Sequence, residues 1–217
     1  MEPQNKSKLV SIVIVTRNRK DLVLNCLTSV FRMDYPSFKV VLVDNASQDG
    51  TVEAVKLKFP QVDVIASKEN KGLNGGKNLG QQRAEGDYIF FLDSDTEVDR
   101  NCLKELVDLA ESDQDIGMAC PKMYYSEPRN IIWYAGSYVN LLTSQTKNIG
   151  CNEADAGQWD QVRETQFAPT AYLARMEVVK TLKSHYEYLF MTYGDTDYGF
   201  RTKEAGYKVL FCPKARL

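Results

Sequence analysis

The 217-residue sequence contains one histidine, His185, and five cysteines, Cys26, Cys102, Cys120, Cys151 and Cys212, with no Cys-x-x-Cys pair among them. An odd, scattered set of thiols speaks against a disulfide framework and a zinc knuckle, and fits a reducing cytosol. His185 has no companion at metal-ligand or triad spacing, so it reads as incidental. Positive charge is not in excess either. Lys plus Arg number 27 against 29 for Asp plus Glu, a net charge of -2, so nucleic acid meets no broad basic field. Residues 9–15 are apolar but too few for a membrane span or a signal-peptide core, and the residues before them are polar, so no transmembrane or leader segment is expected. Internal repeats and low-complexity stretches are absent. The glycines of Asn70-Lys71-Gly72-Leu73-Asn74-Gly75-Gly76-Lys77-Asn78-Leu79-Gly80 spell neither Gly-x-Gly-x-x-Gly nor a phosphate-binding Gly-x-x-x-x-Gly-Lys-Ser/Thr, so a dinucleotide fold and a P-loop are both unsupported.

What is present is an ordinary globular composition, 43% hydrophobic and 26% charged, suited to one compact domain, alone or with a small appendage. Leu9-Val10-Ser11-Ile12-Val13-Ile14-Val15 is the near-continuous β-branched run of a strand covered on both faces. A helix is expected over residues 20–33, a strand over 38–43, a helix over 51–59, a strand over 62–66, a glycine-bearing helix over 73–84 and a strand over 88–92. Strands alternating with helices predict a mostly parallel, twisted sheet. Each glycine in the helix costs about 1 kcal/mol against alanine. Several together suggest a close approach of a ligand or of the sheet, and the sequence does not choose between them.

In open α/β sheets ligands bind beyond the carboxyl ends of the strands. Three of the expected strands end in polar residues, Thr16, Asp44 and Asp93, which should therefore share one edge. Each has a quieter explanation: Thr16 could simply end a strand, Asp44 or Ser47 could cap the following helix, and Asp93 could cap a turn. Phe90-Phe91-Leu92-Asp93-Ser94-Asp95 is the most pointed of these endings. If strand alternation continues, Asp93 and Asp95 project the same way, and two such carboxylates repel unless a cation joins them. A divalent ion with oxygen ligands, Mg²⁺ or Mn²⁺, is the simplest relief.

Beyond a helix at 101–111 and a strand at 117–123, residues 124–166 are rich in Tyr, Trp, Asn, Gln and Gly. An alternating patch at 133–142 reads as one antiparallel strand. Trp133, Tyr134, Tyr138 and Trp159 could stack on a sugar or a lipid, although aromatic residues in a β patch are more often core. A strand is expected at 167–174 and a short helix at 176–182. Tyr193-Gly194-Asp195-Thr196-Asp197 opens a last helix that ends near Gly206, where acidic residues suit the helix dipole without any chemical role.

Four segments taken together resemble, in this order, the nucleotide-sugar half of the family 2 glycosyltransferases: Val15-Thr16-Arg17-Asn18-Arg19; Val43-Asp44-Asn45-Ala46-Ser47 with Asp49-Gly50-Thr51; Asn70-Lys71-Gly72 with Gly75-Gly76-Lys77-Asn78; and Leu92-Asp93-Ser94-Asp95. Arg175-Met176-Glu177-Val178, Asp195-Thr196-Asp197 and Arg201 through Ala205-Gly206-Tyr207 resemble the acceptor half. The glycine-rich segment is most similar to the rhamnosyltransferase-like branch. The resemblance implies a GT-A fold: α/β and Rossmann-like, with a mostly parallel central sheet flanked by helices and a small antiparallel region on the acceptor side. It implies one domain over residues 1–217, with a nucleotide-sugar-binding half at 8–123 and an acceptor-binding half at 124–217, and a longer native protein beyond Leu217.

By the same resemblance, the expected activity is inverting, metal-dependent transfer from a nucleoside diphosphate sugar, UDP- or dTDP-linked first. The acceptor would be a hydroxyl of a glycan or lipid-linked saccharide, as in polysaccharide biosynthesis. The expected setting is the cytoplasm or the cytoplasmic face of a membrane, with peripheral membrane contact compatible. Thr16, Asn18, Asp44, Asn45, Asn70, Gly75, Gly76, Asn78, Asp93 and Asp95 are implied to bind the donor. Among them Thr16 and Asp44 would hold base and ribose, Asp93 the ribose or a metal-bound water, and Asp95 the Mg²⁺ or Mn²⁺. Asp195 is implied as the general base. Three departures stand out: Gly194 replaces the usual Glu before that Asp, Ala168-Pro169-Thr170-Ala171 replaces a Gly-Ala motif, and the sequence ends about where many relatives continue toward a histidine that can complete the metal site. A catalytically weak nucleotide-sugar-binding module and a sugar nucleotidyltransferase are the alternatives. The latter would need a glycine-rich, arginine-containing loop after the first strand, which Thr16-Arg17-Asn18-Arg19-Lys20 is not.

Overall fold

A computed structural model describes residues 7–140, 142–143 and 145–217. The polar stretch through residue 6 and position 141 of the alternating patch lie outside the described residues. The chain runs β1 (Val10–Thr16), α1 (Lys20–Val30), β2 (Phe38–Asp44), α2 (Thr51–Lys58), β3 (Asp63–Ala66), α3 (Gly72–Arg83), β4 (Tyr88–Asp93), α4 (Cys102–Glu111) and β5 (Ile116–Tyr124). It continues with β6 (Ile132–Tyr134), β7 (Ser137–Asn140), β8 (Gln145–Asn148), β9 (Arg163–Glu164), β10 (Ala171–Arg175), α5 (Met176–Leu182), α6 (Gly194–Glu204) and β11 (Lys208–Arg216).

The main sheet has the order β3-β2-β1-β4-β10-β5-β11-β9, with β6 added to β5. β1 pairs in parallel with both β2 and β4, and β2 pairs in parallel with β3. Every residue of β1 is buried, as expected of a β-branched strand with helices on both sides. β10 enters antiparallel between β4 and β5, and β11 lies parallel to β5. The two expected halves therefore share one sheet, because β10 of the 124–217 half inserts between β4 and β5 of the 8–123 half. β7 and β8 form a separate antiparallel pair. This is the expected architecture: a mostly parallel central sheet, flanking helices and a small antiparallel region.

Three boundaries differ from the sequence reading. The patch at 133–142 is two strands: β6 pairs with β5 and β7 pairs with β8. Gly136, at φ 112, makes the break in a backbone region that side chains rarely adopt. The strand expected from 167 begins only at Ala171, because Pro169 lacks an N–H and Thr170 sits at φ 70. β11 was not anticipated, yet it carries the sheet outward from β5. The aromatic residues divide as well. Tyr134 is fully buried, while Tyr138 is exposed. Trp159 packs under the Arg163 guanidinium, 4.3 Å from its ring centre, and donates to Glu153.

The glycines of α3 answer the question the sequence left open. A Cβ at Gly76 would collide with Val15 and one at Gly80 with Val13, so this helix face is bare because it lies directly on β1. Close packing on the sheet accounts for these two positions. Gly80→Ala gains helix propensity of about 1 kcal/mol but overpacks a buried contact, a cost of about 1–3 kcal/mol. Urea unfolding is expected to show a net loss of stability; a stabilised Gly80→Ala would contradict the packing account.

Candidate functional site

The β1–β2 register places Thr16 opposite Asp44, and the β1–β4 register places Val15 opposite Asp93. The three polar strand ends therefore share one carboxyl edge. Thr16 and Asp44 are each only 2% exposed. Asp44 Oδ2 accepts the Ser47 N–H at 2.9 Å, whereas at the start of α2 the N-cap is Gly50 and it is Asp49 that accepts from the Thr51 N–H. Asp44 is thus not the cap of α2. Its Oδ1, Thr16 Oγ1 and Asp93 Oδ1 are all buried without a hydrogen-bond partner. Unsatisfied buried oxygens are costly, and three of them at one edge make a place for a ligand's donors.

The asparagines around this edge build its walls. Asn18, at φ 50, donates its N–H to Ser47 Oγ and accepts from the Gln48 N–H, which ties the loop after β1 to the loop after β2. Asn45 donates Nδ2 to Gly72 O at 2.7 Å and accepts from the Lys71 N–H at 3.1 Å. Asn70 accepts from the Gly72 N–H at 3.0 Å. Gly76 brings α3 against β1, and Gly75 faces Lys71 and Glu187. Asn78 is placed elsewhere. Its amide donates to His185 O and to Glu187 and accepts from the His185 N–H, so it fastens the 185–187 segment and does not face the strand ends.

The two carboxylates after β4 do not follow strand alternation. Asp93 is the last strand residue and Ser94-Asp95 is already a turn, in which the Thr96 hydroxyl donates to the Asp93 carbonyl. Asp95 is half exposed and ion-paired with Arg19. Burial pushes the Asp93 carboxyl up to about 7; the Lys77 cation pulls it down, while Asp195 and Asp95 push it further up. Among the described residues no cluster of three His, Cys, Asp or Glu side chains forms a closed metal cage. The open pair, with one unpartnered buried oxygen on Asp93, suits an ion of the Mg²⁺ type. Such ions take one or two carboxylates and fill their remaining positions with water and phosphate oxygens.

Asp195 lies in the first turn of α6, whose N-cap is Tyr193 at φ 59. It faces a cleft of about 380 Å³ that is also lined by Asp93, Asn74, Pro169, Thr170 and Tyr193, so acidic groups from both halves of the chain meet in one space. Asp195 Oδ1 accepts a 2.5 Å bond from Lys77 Nζ on α3. Lys77 had no role in the sequence reading; its place in a helix otherwise pressed against the sheet was the available signal. His185 is buried, stacked on Tyr198 at 4.4 Å and hydrogen-bonded through Nε2 to the Tyr172 hydroxyl. Burial, then the Lys77 and Arg201 charges, hold its imidazole well below the usual histidine range. It is a member of the buried aromatic packing around Phe91, Tyr172 and Tyr198.

Gly194 has a steric explanation. A Cβ there would overlap the Asn74 amide, which is itself held by donating to Tyr186 O at 3.2 Å. With Asn74 held as it is, a side chain at 194 would force the Asn74 amide or α6 to shift.

Residues 11–182 match the sequence pattern of "Glycosyl transferase family 2". This chain belongs to that family. It is 27% identical over 176 residues to glycosyltransferase GlyG of Streptococcus pneumoniae, a match covering 79% of this chain and 58% of GlyG. It is 34% identical over 89 residues to the UDP-Glc:alpha-D-GlcNAc-diphosphoundecaprenol beta-1,3-glucosyltransferase WfaP of Escherichia coli, covering 41% of this chain and 36% of WfaP. The mannosyltransferase PcManGT of Pyrobaculum calidifontis, solved with GDP-Man and Mn²⁺, superposes with a TM-score of 0.72 at 19% identity, over 98% of this chain and 57% of that one. That likeness shows the shared GT-A fold. The chain thus spans little more than half the length of GlyG and PcManGT.

Two outcomes follow. If Gly194 and Asn74 exclude each other's volume, Gly194→Ala destabilises the wild-type background and does so less in Asn74→Gly. A double-mutant cycle by chemical denaturation should give a coupling of about 0.5 kcal/mol or more, and strict additivity would contradict the contact. Asp93, with its folded value raised above the ordinary 3.8 to about 7, contributes stability that is fully present below the lower value and lost as pH rises through the upper one. In buffer free of divalent ions, Asp93→Asn should remove that loss, so the variant gains on the wild type between the two values. Parallel stability curves would refute the burial assignment.

Proposed function

We propose that this chain is a glycosyltransferase domain that moves a sugar from a nucleoside diphosphate sugar to a hydroxyl of a glycan or lipid-linked saccharide. The observation that carries this reading is the gathering of three unpartnered buried oxygens, on Thr16, Asp44 and Asp93, at one strand edge, where Asp93 also lines the cleft that Asp195 faces. Membership of the family supports it. Residues 8–123 would bind the donor and 124–217 the acceptor, at the cytoplasmic face where a lipid-linked acceptor would be met. No helix among the described residues is long and apolar enough to cross a membrane. UDP or dTDP is the first choice of donor nucleotide, in line with the UDP-sugar named for WfaP; the GDP-Man bound to PcManGT makes GDP the competitor to test.

In this reading Thr16 and Asp44 accept hydrogen bonds from the base and ribose, and the loops stitched by Asn18, Asn45 and Asn70 fix the shelf on which these groups lie. Asp95, with Asp93 beside it, would hold Mg²⁺ or Mn²⁺, which supplies neutralising charge to the departing diphosphate. Asp195 takes the proton from the acceptor hydroxyl. The freed oxygen attacks the anomeric carbon on the face opposite the diphosphate, so one displacement inverts that centre. The glycine at 194 is the feature that favours the second reading, a binding module of low activity, because it removes a carboxylate next to the base.

The test is thermal unfolding with UDP, dTDP and GDP, each with and without Mn²⁺, followed by transfer assays. A ligand at a hundredfold excess over its dissociation constant stabilises the fold by about 2.7 kcal/mol. One nucleotide is expected to raise the midpoint in a Mn²⁺-dependent way that Asp95→Ala abolishes. Asp195→Ala should keep that shift and lose transfer by about a hundredfold or more. Nucleotide binding without turnover on any saccharide acceptor would favour the binding module, and undiminished transfer by Asp195→Ala would remove it as the base.

A further inference from the structure

Lys77 is a lysine whose side chain is only 2% exposed. Its Nζ bonds to Asp195 Oδ1 at 2.5 Å and lies over the rings of Tyr172, at 5.2 Å, and Phe91, at 5.9 Å. Asp195 is its one carboxylate within ion-pair distance among the described residues. Asp195 Oδ2, by contrast, makes no hydrogen bond among them. A buried ion pair seldom stabilises a fold more than apolar side chains of the same volume would, because both charges must leave water. The aromatic floor of Phe91 and Tyr172 would accept a methionine readily, so stability alone does not explain an ammonium here. Lys77 is also well placed to relate the two halves, since its helix rests on β1 through Gly76 and touches the donor-side loops through Gly72.

We propose that Lys77 is the positioning residue for proton transfer: it grips Asp195 by Oδ1 and thereby presents Oδ2 to the acceptor hydroxyl. This rests on the glycosyl-transfer reading above. The hydroxyl O–H bond breaks with its proton passing to Oδ2, and the oxygen's electron pair forms the new bond to the anomeric carbon. The bond from that carbon to the diphosphate breaks with its electrons leaving on the diphosphate. Lys77 neither gives nor takes a proton. It removes the rotation that would turn Oδ2 away, and orientation of this kind is a large part of what a general base supplies.

The measurement is steady-state transfer by Lys77→Met and Lys77→Ala, with nucleotide-induced thermal shifts as the control for folding and donor binding. Lys77→Met is expected to lower kcat by about a hundredfold, within the range a general base contributes, while the donor KM and the nucleotide shift stay near wild type. Lys77→Ala should recover activity with ethylammonium or propylammonium and not with tetramethylammonium, which cannot donate a hydrogen bond. In an Asp195→Ala background, Lys77→Met should cost nothing further, because both act on one step. Wild-type kcat in Lys77→Met, a defect confined to donor KM, or a full additional loss without Asp195 would each overturn the proposal. A wild-type protein that binds nucleotide but transfers nothing would instead overturn the reading beneath it.

Discussion

The constraint on which the rest depends is the placement of carboxylates at the ends of apolar strands. Phe90, Phe91 and Leu92 are buried in the middle of the sheet, and the next residue is an acid whose Oδ1 has no partner. Asp44 ends β2 in the same condition. Removing a carboxylate from water is unfavourable unless hydrogen-bond donors or cations replace the lost hydration. The fold supplies only part of that replacement: the Ser47 N–H for Asp44, and the electrostatic reach of Lys77 for Asp93. The remainder is a standing demand for a ligand rich in donors and accompanied by positive charge. A nucleoside diphosphate sugar with its divalent ion has that chemistry.

α3 distributes this demand between the two halves. One face, marked by Gly76 and Gly80, lies bare on β1. Another carries Asn74, Lys77, Asn78 and Gln81, all turned toward residues 183–195. Asn74 and Asn78 hold the backbone at Tyr186 and His185, Gln81 donates to Lys183 O, and Lys77 holds Asp195. One helix therefore both packs against the strand that ends in Thr16 and fixes the position of Asp195. The glycine at 194 follows from the same geometry, since Asn74 fills the space a side chain would need.

Much of the strand-end edge was legible in the sequence because its signals are local. β1, β2 and β4 announce themselves as apolar runs, and the rule that ligands gather at carboxyl ends places Thr16, Asp44 and Asp93 together before any coordinate is known. The surroundings of Asp195 were harder to read because their determinants are long-range. Lys77 and Asp195 are 118 positions apart, and neither carries a mark of the other. β11 was overlooked because Pro213 and Lys214 interrupt its pattern, and the register with β5 shifts at that point. Asp95 was expected beside Asp93 by strand alternation, which stops applying once the chain turns at Ser94. Asn78 belonged to a motif read as donor-binding, yet its amide is committed to His185 and Glu187. For Lys77, Asp195 and Asn78 the deciding contact lies with a residue remote in sequence, which periodicity cannot report.

The most direct test of the central claim is an X-ray structure with the stabilising nucleoside diphosphate and Mn²⁺, recorded so that the anomalous signal locates the metal. The account predicts the base and ribose against Asp44 and Thr16, the metal on Asp95 beside Asp93 and the diphosphate oxygens, and the open side of the diphosphate facing Asp195. Nucleotide at another surface, such as the groove at the opposite end of the strands near Phe38 and Lys39, or metal away from Asp95, would contradict it.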